Sequence, residues 1–301
     1  MIKKVFLSLL FLIILFKALY GEEIGTVRTE EIVIIFEEPL RTPAIQITKI
    51  YPEIKDELEK YIGWKFNFKP KVLLVKNHER FQRMARGLPI VAYALPHKEL
   101  TVIDYSIINT HPYTLMPILQ HELCHLLLHH HIEDGNLPKW LDEGISQWVS
   151  DGIAEIIMER KPSILKEAIL SGNLMKINDL QKSFPNEVRS LLLAYEQSKS
   201  FVEFMNREFG RNKVLEVLKY LKDGHKIDMA ILKSFLIPLD ELERRWNKYI
   251  RMKTTWFTYL TTNTYEILFF IAALIAIYGF IKLMVKKRMY NDKEDIYLPN
   301  S

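Results

Sequence analysis

The sequence predicts an α+β fold: a small N-terminal mixed sheet with helices, a helix-rich part after it, and one C-terminal transmembrane helix. Three observations carry that expectation. Short apolar and β-branched runs bounded by turn residues are confined to residues 30–106. Beyond Pro112 the apolar residues recur at helical spacing. Near the chain end, Ile267 to Val285 is 19 residues with one charge, Lys282, close to the 20 or so that a bilayer core requires. The expected division is 1–21, a signal peptide or N-terminal anchor; 22–112, an α/β part; 113–255, a helical part; 267–285, the span; and 286–301, a tail.

Taken in order, Glu31 to Phe36 reads as a strand, and Thr42-Pro43 as an N-cap and first-turn proline opening a helix to Ile62. Lys71 to Val75 is a second strand, and Asn77 can cap a short helix ending before Gly87. Ile90 to Leu95 and Leu100 to Tyr105 are further strands. Helices are then expected at Tyr113–His131, Pro138–Asp151, Ser163–Leu170, Asn186–Phe209, Lys213–Lys222 and Leu239–Arg251. Gly210 supplies the stop that a helix C-terminus prefers.

Composition narrows the function. A chain of 301 residues, 49% hydrophobic and 26% charged, is neither disordered nor fibrous. Its 41 basic and 37 acidic residues leave a formal charge of +4, which argues against nucleic acid as a partner. The single cysteine, Cys124, excludes an intrachain disulfide and a cysteine-only metal site.

The two ends imply a membrane. Lys3 and Lys4 precede an apolar run from Val5 to Phe16, the pattern of a secretory signal and short for a full span. An uncleaved anchor is the alternative, giving a two-pass rather than single-pass protein. At the other end, Trp256, Phe257 and Tyr259 stand where an interfacial aromatic belt would lie, and Lys286, Lys287 and Arg288 follow the span. The positive-inside rule then puts the C-terminus in the cytoplasm and the folded part outside it, at the cell membrane with the lipid bilayer as partner.

The chemistry sits in His121-Glu122-Leu123-Cys124-His125. Two histidines at i and i+4 share one helix face and can both offer an imidazole nitrogen to one Zn2+ ion. Glu122, at the edge of that face, is within reach of water at the metal and can act as general base. Two residues compete as third ligand. His131, six positions after His125, would need a helix break, yet Leu126-Leu127-Leu128 continues the helix and carries His131 about 9 Å along the axis. Glu143 is better placed. The chain turns at Gly135-Asn136, a new helix opens at Pro138, and an antiparallel return brings Glu143 level with His125.

These residues resemble a known family. HELCH followed by Leu137-Pro138-Lys139-Trp140-Leu141-Asp142-Glu143-Gly144 looks like the gluzincins, whose pattern is HExxH and then W-L-x-E-G, and most closely their peptidase MA-like group. Ala194-Tyr195-Glu196-Gln197-Ser198 and the Leu239 to Trp246 segment are similar to later helices of that group. The resemblance covers about residues 113–251. It implies a gluzincin-like zinc domain, a peptide or protein substrate, one catalytic zinc on His121, His125 and Glu143, and Glu122 as base. It also implies that Tyr195 donates to the oxyanion of the tetrahedral intermediate; the competing reading is a tyrosine packing on a long helix. Gln147, one turn after Glu143, would support a ligand. Related aminopeptidases hold the substrate amine with a glutamate near the edge strand. Gly87 to Ala92 offers none, which favours an endopeptidase.

Of the other histidines, His129 to His131 read as a solvated helix end and His225 as a loop residue. Cys124 reads as packing. The rival function is a catalytically silent membrane-anchored binding or assembly module that keeps the zinc-peptidase fold. An intramembrane protease is disfavoured because Pro117, Gln120 and the histidine triplet leave too short an apolar run around the motif.

Overall fold

The computed structural model describes residues 24–110, 115–150, 164–262 and 264–294. The expected signal or anchor at 1–21, the helix-start residue Tyr113, Asp151, Ser163 and the last residues of the tail lie outside them. Two compact units divide the chain, one up to Trp246 and one from Asn247 onward. Five strands and eleven α-helices are found among the described residues, an α+β fold as the sequence predicts.

The sheet is built from β1 (Ile24–Arg28), β2 (Val33–Glu37), β3 (Lys71–Val75), β4 (Ala92–Leu95) and β5 (Leu100–Asp104). Its order is β1-β2-β3-β5-β4. The three central strands run parallel, with Ile35 opposite Leu73 and Leu73 opposite Val102. Both outer strands are antiparallel to their neighbours. Central parallel strands are covered on both faces, which explains why VIIF and VLLV are apolar throughout and fully buried. On one face Val33, Ile35, Leu73, Val75 and Val102 meet Phe81 of α2 (His78–Met84). Helices α1 (Arg41–Ile62) and α4 (Leu115–His131) also pack on the sheet.

Helix α1 buries Ala44, Ile47, Tyr51, Ile54, Leu58 and Ile62, an apolar stripe at helical spacing. It starts one residue before Thr42, with Leu40 at the cap position and no side-chain cap, so Pro43 sits inside the first turn. Asn77 does cap α2, its Oδ1 accepting the Arg80 amide at 2.9 Å. Strand β1, the short helix α3 (Tyr105–Thr110) and α9 (Ile227–Phe235) were not predicted from the sequence.

The helical part of the first unit contains α5 (Lys139–Val149), α6 (Ile164–Ser171), α7 (Val188–Phe209), α8 (Arg211–Lys222) and α9. Helix α10 (Leu239–Thr262) runs from it into the second unit. Helices α5 and α7 pack through Trp140 and Phe201, with ring centroids 5.1 Å apart, and Phe201 continues the stack to Trp246 at 5.3 Å. The second unit contains α11 (Thr264–Glu294), whose stretch Thr264–Met284 is long and apolar enough to cross a membrane. That stretch is unburied, and Phe269, Ile275, Phe280 and Leu283 are all exposed.

Candidate metal and active site

Helix α4 is buried without interruption from His121 to Leu128, because it lies between the sheet and α5. Its pairing with α5 fixes their relative direction. Asp142 meets His129 and His125, Ser146 meets His125, and Ser150 lies by His121. Rising numbers on α5 meet falling numbers on α4, so the two helices are antiparallel.

That return brings three side chains together. The Nε2 atoms of His121 and His125 are 3.0 Å apart, and Glu143 Oε2 lies 3.5 Å from each. Among the described residues this is the group of histidine, cysteine and carboxylate donors that could hold a metal. The donor set fits Zn2+ in kind, with two imidazole nitrogens and one carboxylate oxygen. It fits in dimension as well, since zinc bonds of about 2.05 Å at tetrahedral angles put ligand atoms roughly 3.3 Å apart.

The hydrogen bonds around the rings turn the right nitrogens inward. His125 Nδ1–H donates to Asp142 Oδ1 at 2.6 Å, with Ser146 Oγ 3.2 Å away. Ser150 Oγ–H donates to the Ser146 carbonyl at 2.8 Å, which leaves its oxygen to face His121 Nδ1 at 3.5 Å. With both Nδ1 atoms acting as donors, the Nε2 lone pairs are left for a cation. Asp142, Ser146 and Ser150 were missed in the sequence. The i+3 and i+7 spacing of Ser146 and Ser150 after Glu143 puts them on one helix face, but spacing alone does not say that this face meets the histidines. Gln147, expected to support a ligand, instead donates to the Tyr195 main-chain carbonyl at 3.1 Å.

The electrostatics follow from burial and charge. Burial alone would lower the pKa of His125, but the Asp142 and Glu143 carboxylates outweigh it and hold the imidazole well above its usual value. Burial would raise Asp142, yet His125 and Lys139 keep it well below the carboxylate range. Lys139 and then His125 do the same for Glu143. Lys139 Nζ is 2.5 Å from Glu143 Oε1.

A cleft of about 980 Å³ opens onto this group, lined by Tyr93 and Ala94 of β4, by His125, Lys139 and Glu143, and by Tyr195 of α7. Tyr195 is thus on the same cleft as the candidate ligands, its ring edge-on to Phe184 at 5.2 Å. His121 and Glu122 have no exposed surface and are not among the residues that line the cleft. Cys124 is equally buried, and burial pushes its thiol up to about 12. The histidine triplet is not simply solvated. His129 bonds Asp142 at 3.2 Å, His130 stacks on Phe68 at 4.4 Å, and His131 donates to the Lys65 carbonyl at 2.9 Å. His131 is therefore engaged elsewhere than with His121, His125 and Glu143.

The fold and this cluster are of a metallopeptidase type, and a comparison with protein families places the chain in such a class. A family model described as the Peptidase MA superfamily matches residues 100–252, and the chain belongs to that superfamily. No curated protein sequence matches it. Solved structures similar to it include aminopeptidase A of Legionella pneumophila in complex with aspartic acid, at 17% identity and a TM-score of 0.45. The match covers 75% of this chain and 27% of that one. Another is yeast LTA4 hydrolase in complex with bestatin, at 12% identity and a TM-score of 0.45, covering 76% of this chain and 38% of that one. The chain therefore spans well under half the length of either.

Proposed function

We propose that the protein is a membrane-anchored zinc metallopeptidase that hydrolyses peptide bonds outside the cytoplasm, as an endopeptidase. The observation that carries the reading is the convergence of His121 Nε2, His125 Nε2 and Glu143 Oε2 on one point, with His125 and Glu143 lining the cleft. His121, His125 and Glu143 would hold one zinc ion, which when bound supplies Lewis acidity and makes water acidic enough to ionise near neutrality. Glu122 takes the proton of the attacking water and returns it to the leaving amine. Tyr195 donates its phenol O–H to the carbonyl oxygen as that oxygen gains charge. Asp142, Ser146 and Ser150 hold the imidazoles in register.

The substrate's placement has support from topology. Strand β4 ends the sheet, so one of its edges has no strand partner among the described residues, and Tyr93 and Ala94 line the cleft. An extended peptide can add to such an edge by main-chain hydrogen bonds. The wall from Leu88 to Ala94 carries no carboxylate for a free amine, which supports internal cleavage. Membrane anchoring rests on the exposed apolar stretch Thr264–Met284 and the basic residues after it. In this reading residues 22–112 and 113–255 form the extracytoplasmic enzyme, 267–285 the span and 286–301 the cytoplasmic tail, with 1–21 a signal or anchor.

One observation favours the rival, a silent binding or assembly module. Glu122 is fully buried and does not line the cleft, whereas a base must reach water. The deciding experiment is metal analysis with peptide-library cleavage on the detergent-solubilised full chain, wild type beside Glu122→Ala. The expected result is stoichiometric zinc in both and cleavage only by wild type. Stoichiometric zinc with no cleavage by wild type selects the silent module, and equal cleavage by both removes Glu122 as base.

A further inference from the structure

Lys139 stands where helix energetics alone would not put it. It is the first residue of α5, with Pro138 at the N-cap position, so its charge faces the positive end of the helix dipole. It is also paired forward with Glu143 at i+4, the weaker of the two orientations for such a pair. Both local preferences oppose a lysine here. What its ammonium gains is the ligand carboxylate itself. Nζ lies 2.5 Å from Glu143 Oε1 and 3.6 Å from Asp142 Oδ2. The carboxylate is therefore divided: Oε1 faces the ammonium, while Oε2 sits 3.5 Å from both His121 Nε2 and His125 Nε2.

Resting on the zinc-peptidase reading above, we propose that Lys139 is a positioning residue that occupies Glu143 Oε1 and so restricts Glu143 to a single metal-ligating oxygen, Oε2. The physical reason is competition for a lone pair. A free carboxylate can bind a cation through one oxygen or both, and a charge-assisted hydrogen bond is strong enough to decide between them. Two ligating oxygens would fill the coordination position that a catalytic site keeps open. Lys139 also reaches Asp142, which orients His125, so one ammonium braces two neighbouring carboxylates of the site. Its side chain is 38% exposed at the cleft, so its replacement removes little packing.

The test uses the full chain in detergent, loaded with zinc alone, and reads X-ray absorption at the zinc edge beside zinc affinity by chelator competition. Lys139→Met, which keeps the length without the donor, is expected to raise the oxygen coordination number by one and to weaken zinc about 10-fold or more, within the usual range for loss of an outer-shell partner. Lys139→Arg, which keeps a charged donor, should retain the wild-type spectrum. Where peptide cleavage is measurable, kcat should fall in Lys139→Met with KM little changed. Folding is checked by circular dichroism, and Lys139→Gln takes the place of a methionine variant that does not fold. A wild-type spectrum and affinity in the charge-free variant overturns the proposal while leaving the zinc reading intact. Failure of the wild-type chain to take up stoichiometric zinc overturns both.

Discussion

Asp142 shows how one residue outside the proposed ligand set can govern it. Its Oδ1 accepts from His125 at 2.6 Å and its Oδ2 faces His129 at 3.2 Å. Asp142→Asn keeps the size and loses the charge that fixes the His125 tautomer, so zinc affinity should fall about 10- to 100-fold, read by chelator competition. The same cluster sets a pH dependence. In the metal-free protein His125 is held above its usual pKa, so its stabilising contribution is full below the unfolded value of about 6.5 and lost as pH rises through the raised folded value. Asp142 and Glu143 are held below theirs, so their contribution is full above about pH 4 and lost as pH falls. The metal-free protein should therefore be most stable between about pH 4 and 6.5. Zinc needs the neutral imidazole, so its stabilising effect must grow in the opposite direction. Thermal unfolding with zinc and with chelator should give nearly equal midpoints at pH 5 and a clear zinc-dependent gain at pH 8. A gain that shrinks as pH rises would contradict the assignment. Cys124 offers a separate check of burial: with its thiol pushed up to about 12, it should resist iodoacetamide at pH 8 until the chain unfolds.

Elements explain which parts of this site could be read from sequence. The i, i+4 spacing of His121 and His125 is enough to put both on one helix face. Glu143 was legible only because Pro138 and Gly135 mark a helix, a turn and a return. The partners of the imidazoles were not legible. Choosing among Asp142, Ser146, Gln147 and Ser150 requires the rotation of α5 against α4, and a difference of one residue turns a side chain by about 100°. Gln147 was favoured by its one-turn spacing and points instead to α7. Strand β1 was missed for a related reason, since IGTVR is only partly buried and shows no strong apolar run. The glycine of the WLDEG segment gains its meaning only in the packed structure. A Cβ on Gly144 would lie 2.5 Å from Val202 Cγ2 and 2.6 Å from the Ser198 carbonyl oxygen. The side chain of Val202 can turn aside, but the backbone of α7 cannot. Gly144→Ala should thus separate α5 from α7 and cost about 1–3 kcal/mol or more, measured by chemical denaturation. Because Glu143 is its neighbour, zinc affinity should fall with it.

At the scale of the molecule the apolar residues fall into two populations that composition averages together. One is the packed interior of the first unit. The other is the surface of Thr264–Met284, where Phe269 is 77% and Ile275 66% exposed. A contiguous apolar surface of that length is not tolerated in water, since exposed patches beyond a few hundred Å² drive association. In a bilayer the same surface is favourable, and the backbone of a continuous helix satisfies its own hydrogen bonds. Lys282 lies near the end of the stretch, where its ammonium can reach the interface. The full chain should accordingly sediment with membranes and resist extraction by alkaline carbonate. A chain ending at Thr262, which lacks α11, should be released into the soluble fraction if residues 1–21 are cleaved, and should stay with the membrane if they remain as an anchor. The mass of the mature N-terminus distinguishes these two cases independently. The proposed sidedness rests on Lys286, Lys287 and Arg288, which favour a cytoplasmic C-terminus. Protease added to intact cells should then digest the domain before the span while sparing an epitope fused after Ser301. The reverse pattern would put the proposed peptidase in the cytoplasm and change the pool of peptides it can meet.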